Sequence, residues 1–382
     1  MIPALLDYFK ETFYEYDLID DLWLKMVAPV LGVFEPSSPV VVISIHDQFL
    51  YNNLSKPNVE CKSGILPVVF GETANSLKLL ANNNPKTQFV VMQQNYFIQR
   101  EIQGINNLHF ITHLEGIWRE YEERRDLKPV NVKELNDQQY ILCLNNNPRP
   151  HRVGTVMYII LCGLDKKTTM SFMSHERIIG ESSLPEPNNT YDYKTLLSWA
   201  DWDDSTRDGF EKLDKSDFGG YDFIVEYVYT DKTNSHNGNV SNFEDKLKHH
   251  YKHTFVDIIT ETSCIEPTYT LTEKYINSVF GYSFPILIAT HGAVGYIRSI
   301  GFDVFDDIIN HSYDNEPNPF YRMKKAIDLN YDLLVNPTKI KEMWDVMGDR
   351  FQQNVNHYKN VLYNQEYNRL TREIDDIKKI IV

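Results

Sequence analysis

The amino-acid sequence predicts an α/β protein made of parallel sheets in two lobes, flanked by helices at both ends. Short β-branched apolar runs recur along it, each bounded by Pro, Gly or polar residues. Helix-spaced segments lie between consecutive runs. That alternation requires crossover connections, and hence parallel strands covered on both faces. At roughly 150 residues per domain, the 382 residues are enough for two such units.

In chain order, Leu5, Leu6, Phe9, Phe13, Tyr16, Ile19 and Leu22 recur at helical spacing, which predicts a helical segment over residues 5–31. Residues 39–46 (PVVVISIH) form a buried-strand pattern, and residues 88–95 and 108–112 repeat it. A helix is expected over residues 73–80. Residues 120–138 are polar and charged and are the expected interdomain linker. A second α/β unit then begins with a strand at 140–145, a turn at 145–152, a helix at 153–164 and a strand at 167–173. Residues 181–250 are acidic and break the rhythm; they are expected as an insertion with a strand near 221–229. The rhythm returns with strands at 253–260, 284–290 and 301–305 and helices at 272–281 and 293–300. From Pro337 the spacing is helical. The expected domains are therefore 1–135, 136–335 and a helical tail over 336–382, with an oligomer contact through that tail as a further expectation.

Composition narrows the function. The chain is 42% hydrophobic and 24% charged, which excludes wholesale disorder. Its net charge of −15 disfavours DNA as a partner for the whole surface. The four cysteines, Cys61, Cys143, Cys162 and Cys264, are scattered without a CxxC spacing, as expected of reduced thiols and not of a zinc site. Neither an apolar run of about 18 residues nor a basic leader followed by an apolar stretch is visible. No membrane span and a cytoplasmic location are the expectations.

In open parallel sheets ligands lie beyond the carboxyl ends of the strands, so the residues there carry most weight. Asn147, Pro148, Arg149, Pro150, His151 and Arg152 follow one strand and open a helix. Helix-start amides and a guanidinium can clamp a diphosphate, although a Pro-stiffened basic turn has the same composition. Glu261 ends a later strand, and Thr272, Glu273 and Lys274 open the next helix. A carboxylate there can accept from ribose hydroxyls and the lysine can neutralise phosphate. The same residues also make a capped helix with an acidic first turn. His291 and Gly292 follow a third strand and point toward the same crevice. Asp314 and Arg322 either reinforce it or pair at the surface. An Asp201–Asp203 DxD string and the His249, His250 and His253 group lack the context of a metal site.

The order of these blocks, Asn-Pro-Arg before a helix, then Glu-Thr-Ser, then Thr-Glu-Lys before a helix and a Pro-containing strand, resembles the donor domain of nucleotide-sugar glycosyltransferases. It is most similar to the α-1,3-fucosyltransferase signature, and also to glycosyltransferase-like proteins of large phages. The likeness covers residues 139–325 or so. It departs at Thr262, where fucosyltransferases carry Asn, and over residues 181–250.

The resemblance implies a GT-B fold of two Rossmann-like domains. It implies transfer of a sugar from a nucleotide-sugar donor to a glycan or other hydroxyl acceptor, with inversion and without an obligatory metal or cofactor. Arg152 would then hold the diphosphate, Glu273 the ribose and Lys274 phosphate, and Glu261 would lie near the sugar as a catalytic candidate; by their position beside these blocks, Arg149, His151 and His291 are further donor-binding candidates. The first lobe would supply a general base, for which Asp47 is the expectation beside His46, His113 and Glu115. DNA as acceptor and a nucleotide-binding protein without turnover are the alternatives.

Overall fold

The computed structural model describes residues 40–45, 64–68, 78, 81–82, 85–86, 88–93, 104–112, 126–145, 150–171, 204–212, 243, 247–261, 264 and 272–362. It also describes scattered residues between 364 and 379. The chain divides into two compact units, Met1–Arg119 with Tyr363–Val382, and Glu120–Leu362.

The first unit contains a parallel sheet in the order β2-β1-β3-β4. Its strands are β1 (Val40–Ile45), β2 (Gly64–Val68), β3 (Gln88–Gln93) and β4 (Leu108–Thr112). Val42 pairs with Ile65 on one side and with Val90 on the other. Three of these strands occupy the predicted runs. β2 does not, because Pro67 interrupts its apolar pattern. Among the described strands β2 lies at the edge of the sheet, the position where a proline is tolerated. The helical expectation over 5–31 lies outside the described residues, as does most of that over 73–80.

The second unit carries another parallel sheet, in the order β6-β5-β7-β8. β5 (Ile141–Leu144) leads into α1 (Pro150–Leu161) and then β6 (Thr168–Ser171). β7 (Val256–Thr260) and β8 (Phe284–Ile288) are buried at every position, as parallel strands with both faces covered must be. Within 181–250 the described residues include one helix longer than a single turn, α2 (Asp204–Lys212). The strand expected near 221–229 lies outside the described residues.

α3 (Glu273–Phe280) connects β7 to β8, and α4 (Ala293–Ser299) follows β8. α5 (Pro319–Asp328) is capped by the Asn318 side chain, which accepts from the amides of Phe320 and Tyr321. α6 (Pro337–Asp345) and α7 (Gly348–Asn356) belong to the same compact unit. Trp344 donates to the Tyr282 carbonyl at 2.7 Å, and the Phe351 ring lies 4.7 Å from that of Phe305 and 5.2 Å from that of Phe284. Each such buried ring contributes about 1.5–3 kcal/mol. Residues 337–362, expected in a separate tail, thus close one side of this core.

Three expectations are corrected. The helix after β5 starts at Pro150 and not at Val153. Proline's fixed φ and missing N–H suit the first helical position, so His151 and Arg152 lie in the first turn and not in a loop. Residues 301–305 are not a strand. The Asp303 side chain accepts from the Phe305 amide at 2.8 Å and Phe305 takes φ +61°, so the chain turns there despite its alternating apolar pattern. Over residues 126–140 the expected linker is docked on the second unit. The Val130 amide donates to the Phe280 carbonyl at 2.8 Å, and Leu127, Val130 and Lys133 are buried.

Lys133 donates to the Thr254 carbonyl and to Ser283 Oγ, under the rings of Phe255 and Trp344. Burial pushes its pKa well down, offset by the nearby Asp257 carboxylate. Asp257, buried within β7, is pushed up to about 7 by the same desolvation, although Tyr251 donates to it at 2.7 Å. Cys143, Cys162 and Cys264 are free thiols. Among the described residues no helix is long and apolar enough to cross a membrane.

Candidate functional site

The chain leaves β5 toward β6 on one side of the second sheet and leaves β7 toward β8 on the other. The neighbouring ends of β5 and β7 are therefore a topological switch point, where the two connections diverge and where open parallel sheets generally bind ligands. Asn145 and Thr260 stand at these two ends. Thr260 Oγ1 donates to Asn145 Oδ1 at 2.5 Å, and the Asn145 amide donates to Ser171 Oγ at 2.9 Å, which ties three strand ends together.

α1 and β7 meet at these ends. His151 Nε2 lies 2.8 Å from the Glu261 carbonyl oxygen. A carbonyl only accepts, so the Nε2 nitrogen carries the proton. Arg152 Nη2 donates to the same oxygen at 3.4 Å. Both side chains are buried, and the first turn of α1 holds no acidic residue.

The other end of Glu261 faces α3. Its carboxylate, 1% exposed, accepts from Thr272 Oγ1 at 2.7 Å and lies 4.0 Å from Lys274 Nζ. Burying a carboxylate costs several kcal/mol unless donors and cations meet it, which Thr272 and Lys274 do here. Thr272 is also the cap of α3, accepting from the Lys274 amide at 3.4 Å. Lys274 Nζ donates to Glu273 Oε1 at 2.9 Å and to Thr272 Oγ1 at 3.2 Å. Glu273 and Lys274 remain 36% and 24% exposed and can reach a ligand. The two sequence blocks, more than a hundred residues apart, are thus joined through one residue.

His291 is exposed just beyond β8. Gly292 has φ +80° and donates to the Asp314 carbonyl at 3.1 Å, while Asp314 Oδ2 accepts from the Gly295 amide at 3.0 Å. Asp314 and Arg322 are buried, 7% and 2% exposed, so of the two alternatives the surface pairing is excluded and both are interior anchors. Burial pushes the Cys264 thiol up, in spite of the Arg322 charge beside it.

Arg149 and Asp47 lie outside the described residues, as do His46, His113, Glu115, Asp201 and Asp203. Among the described residues no group of three His, Cys, Asp or Glu is arranged to hold a metal ion. Sequence reasoning missed Asn145 and Thr260 as site residues. Their place at the strand ends was the available signal.

The fold and site define a chain of mixed α/β class with parallel sheets and a charged switch point. No family model, curated protein or solved structure matches it.

Proposed function

We propose that the chain is a glycosyltransferase of GT-B type that moves a sugar from a nucleotide-sugar donor to an acceptor hydroxyl. The observation that carries this reading is the meeting of His151, Arg152, Thr272 and Lys274 on Glu261 at the switch point. Rossmann-like sheets place dinucleotides and nucleotides at that position. The leaving nucleoside diphosphate gains negative charge, and fixed cations aimed at it are worth about 2.7–4 kcal/mol each in the transition state.

In this reading Lys274 turns from Glu273 to the diphosphate, and Glu273 accepts from the ribose hydroxyls. Arg152 adds positive potential from beneath, where low dielectric weakens it little. His151 holds the strand end that carries Glu261 toward the sugar. His291 borders the base. Asp47 is proposed as the base that takes the acceptor hydroxyl's proton as the acceptor oxygen bonds to the anomeric carbon, the bond from that carbon to the diphosphate breaks and the nucleoside diphosphate leaves.

The test uses Lys274→Met and Glu273→Gln, whose side chains are partly exposed, beside Arg152→Lys. Donor hydrolysis is followed over a panel of nucleotide-sugars, with thermal melts as controls. The expected result is at least a tenfold loss of turnover in each variant with little change in melting. Full turnover in all three overturns the proposal. Nucleoside diphosphate binding without any turnover by the wild-type chain selects a non-catalytic nucleotide-binding protein instead.

A further inference from the structure

Arg322 is among the most completely buried large side chains of the described residues, yet its hydrogen-bond acceptors are main-chain carbonyls and one thiol. Nε donates to the Ala289 carbonyl at 2.9 Å. Nη1 donates to the carbonyls of Glu316 at 2.5 Å and Pro317 at 3.2 Å. Nη2 donates to the Cys264 carbonyl at 2.6 Å and faces Cys264 Sγ at 3.8 Å. A buried cation is retained at a desolvation cost, so the position of what it holds matters.

The three segments it holds all carry the candidate site. Cys264 stands three residues past Glu261, and Ala289 stands two residues before His291. Glu316 and Pro317 follow Asp314, whose carboxylate and carbonyl fix the amides of Gly295 and Gly292. Only a planar fork with donors in three directions reaches all of them; a lysine ammonium, a compact point charge, does not.

We infer that Arg322 is a positioning residue. It sets the placement of Glu261 relative to His291, and so the span offered to a nucleoside diphosphate between α3 and the end of β8. The role of that span rests on the nucleotide-sugar reading above. The clamp itself does not.

The experiment therefore has two arms, both on the full chain. In the first, hydrogen exchange is followed at the Gly292 and Gly295 amides in wild type and Arg322→Lys. At least a tenfold loss of protection is expected there, with the amides of Ile258 in β7 and Ile286 in β8 unchanged. In the second, binding of UDP and GDP is measured by calorimetry for wild type, Arg322→Lys and Arg322→Ala. At least tenfold weaker binding is expected in both variants. Millimolar guanidinium chloride, far below denaturing levels, is expected to restore the alanine variant by refilling the vacated fork site.

Unchanged protection at Gly292 and Gly295 overturns the clamp. Unchanged affinity in the lysine variant, with protection lost, overturns the positioning role. A wild-type chain that binds neither nucleotide defeats the nucleotide-sugar reading while the exchange arm still decides Arg322. If the alanine variant does not fold, the lysine variant carries both arms.

Discussion

The imidazole of His151 meets the main-chain carbonyl of Glu261 at 2.8 Å, across the gap where the connections from β5 and β7 part. This contact leaves the Glu261 carboxylate pointing the other way, to Thr272 and Lys274. One residue thereby joins the starts of two helices.

Replacing that carboxylate is informative because a dianionic ligand would be repelled by it. In Glu261→Gln the amide oxygen can still accept from Thr272, so stability should change by less than about 1 kcal/mol. With the negative charge gone beside Lys274, UDP or GDP should bind several-fold tighter, since one like charge facing the phosphates is removed. Turnover should fall. Calorimetry and donor hydrolysis check both; unchanged binding with full turnover would remove Glu261 from the site.

Thr272 has two jobs, the cap of α3 and the donor to Glu261. Thr272→Ala should lose about 1 kcal/mol as a cap and a further ~1 kcal/mol from the hydrogen bond removed from the buried Glu261 carboxylate. Thr272→Ser should retain most of both. Urea denaturation of the two variants gives the comparison, and equal losses would deny the hydroxyl its role.

Asp257 should give stability an unusual pH slope. Its carboxyl titrates near 7 when folded against an ordinary value of 3.8. Between those values the folded chain keeps a proton that the unfolded chain has released, so this group lowers stability as pH rises through the window and levels off above it. Lys133, pushed down from 10.5, acts in the opposite sense in the alkaline range, where the unfolded chain holds the extra proton. Asp257→Asn should flatten the slope between about pH 4 and 7 in urea melts. A variant with the wild-type slope would show that Asp257 does not titrate there.

Gly292 sits at φ +80° with open space where a Cβ would stand. Gly292→Ala should therefore cost only backbone strain, about 1–2 kcal/mol, and Gly292→Asn should cost less because Asn tolerates the left-handed region. A larger loss in the asparagine variant, measured by thermal melt, would mean that the space is not open.

Much of the fold was legible because the short, apolar, β-branched run of a parallel strand is a local signature. The runs around Val42, Val91, Leu142, Ile258 and Ile286 were visible as strands for that reason. β2 was hidden by Pro67, whose edge position only strand order reveals. Phe302, Val304 and Phe305 imitate a strand because their side chains are buried in a loop, held by the Asp303 turn. The start of α1 was misplaced by three residues although Pro150 was a sign of it. Residues 126–140 look like solvated linker by composition, and only the docking of Leu127, Val130 and Lys133 on the second unit shows otherwise.

Residue order alone settled that the chain alternates apolar strands with helices, and that Arg152, Glu261 and Lys274 stand next to element ends. Such facts depend on neighbours a few positions away, where side-chain period and capping chemistry operate. That His151 and Lys274 are linked through Glu261, and that Arg322 is sunk among three carbonyl-bearing segments, was decided by the folded chain. All of those contacts but the ones from Arg322 to Glu316 and Pro317 span more than ten residues, up to 110 between His151 and Glu261, and they follow from strand order and burial, which no local pattern encodes.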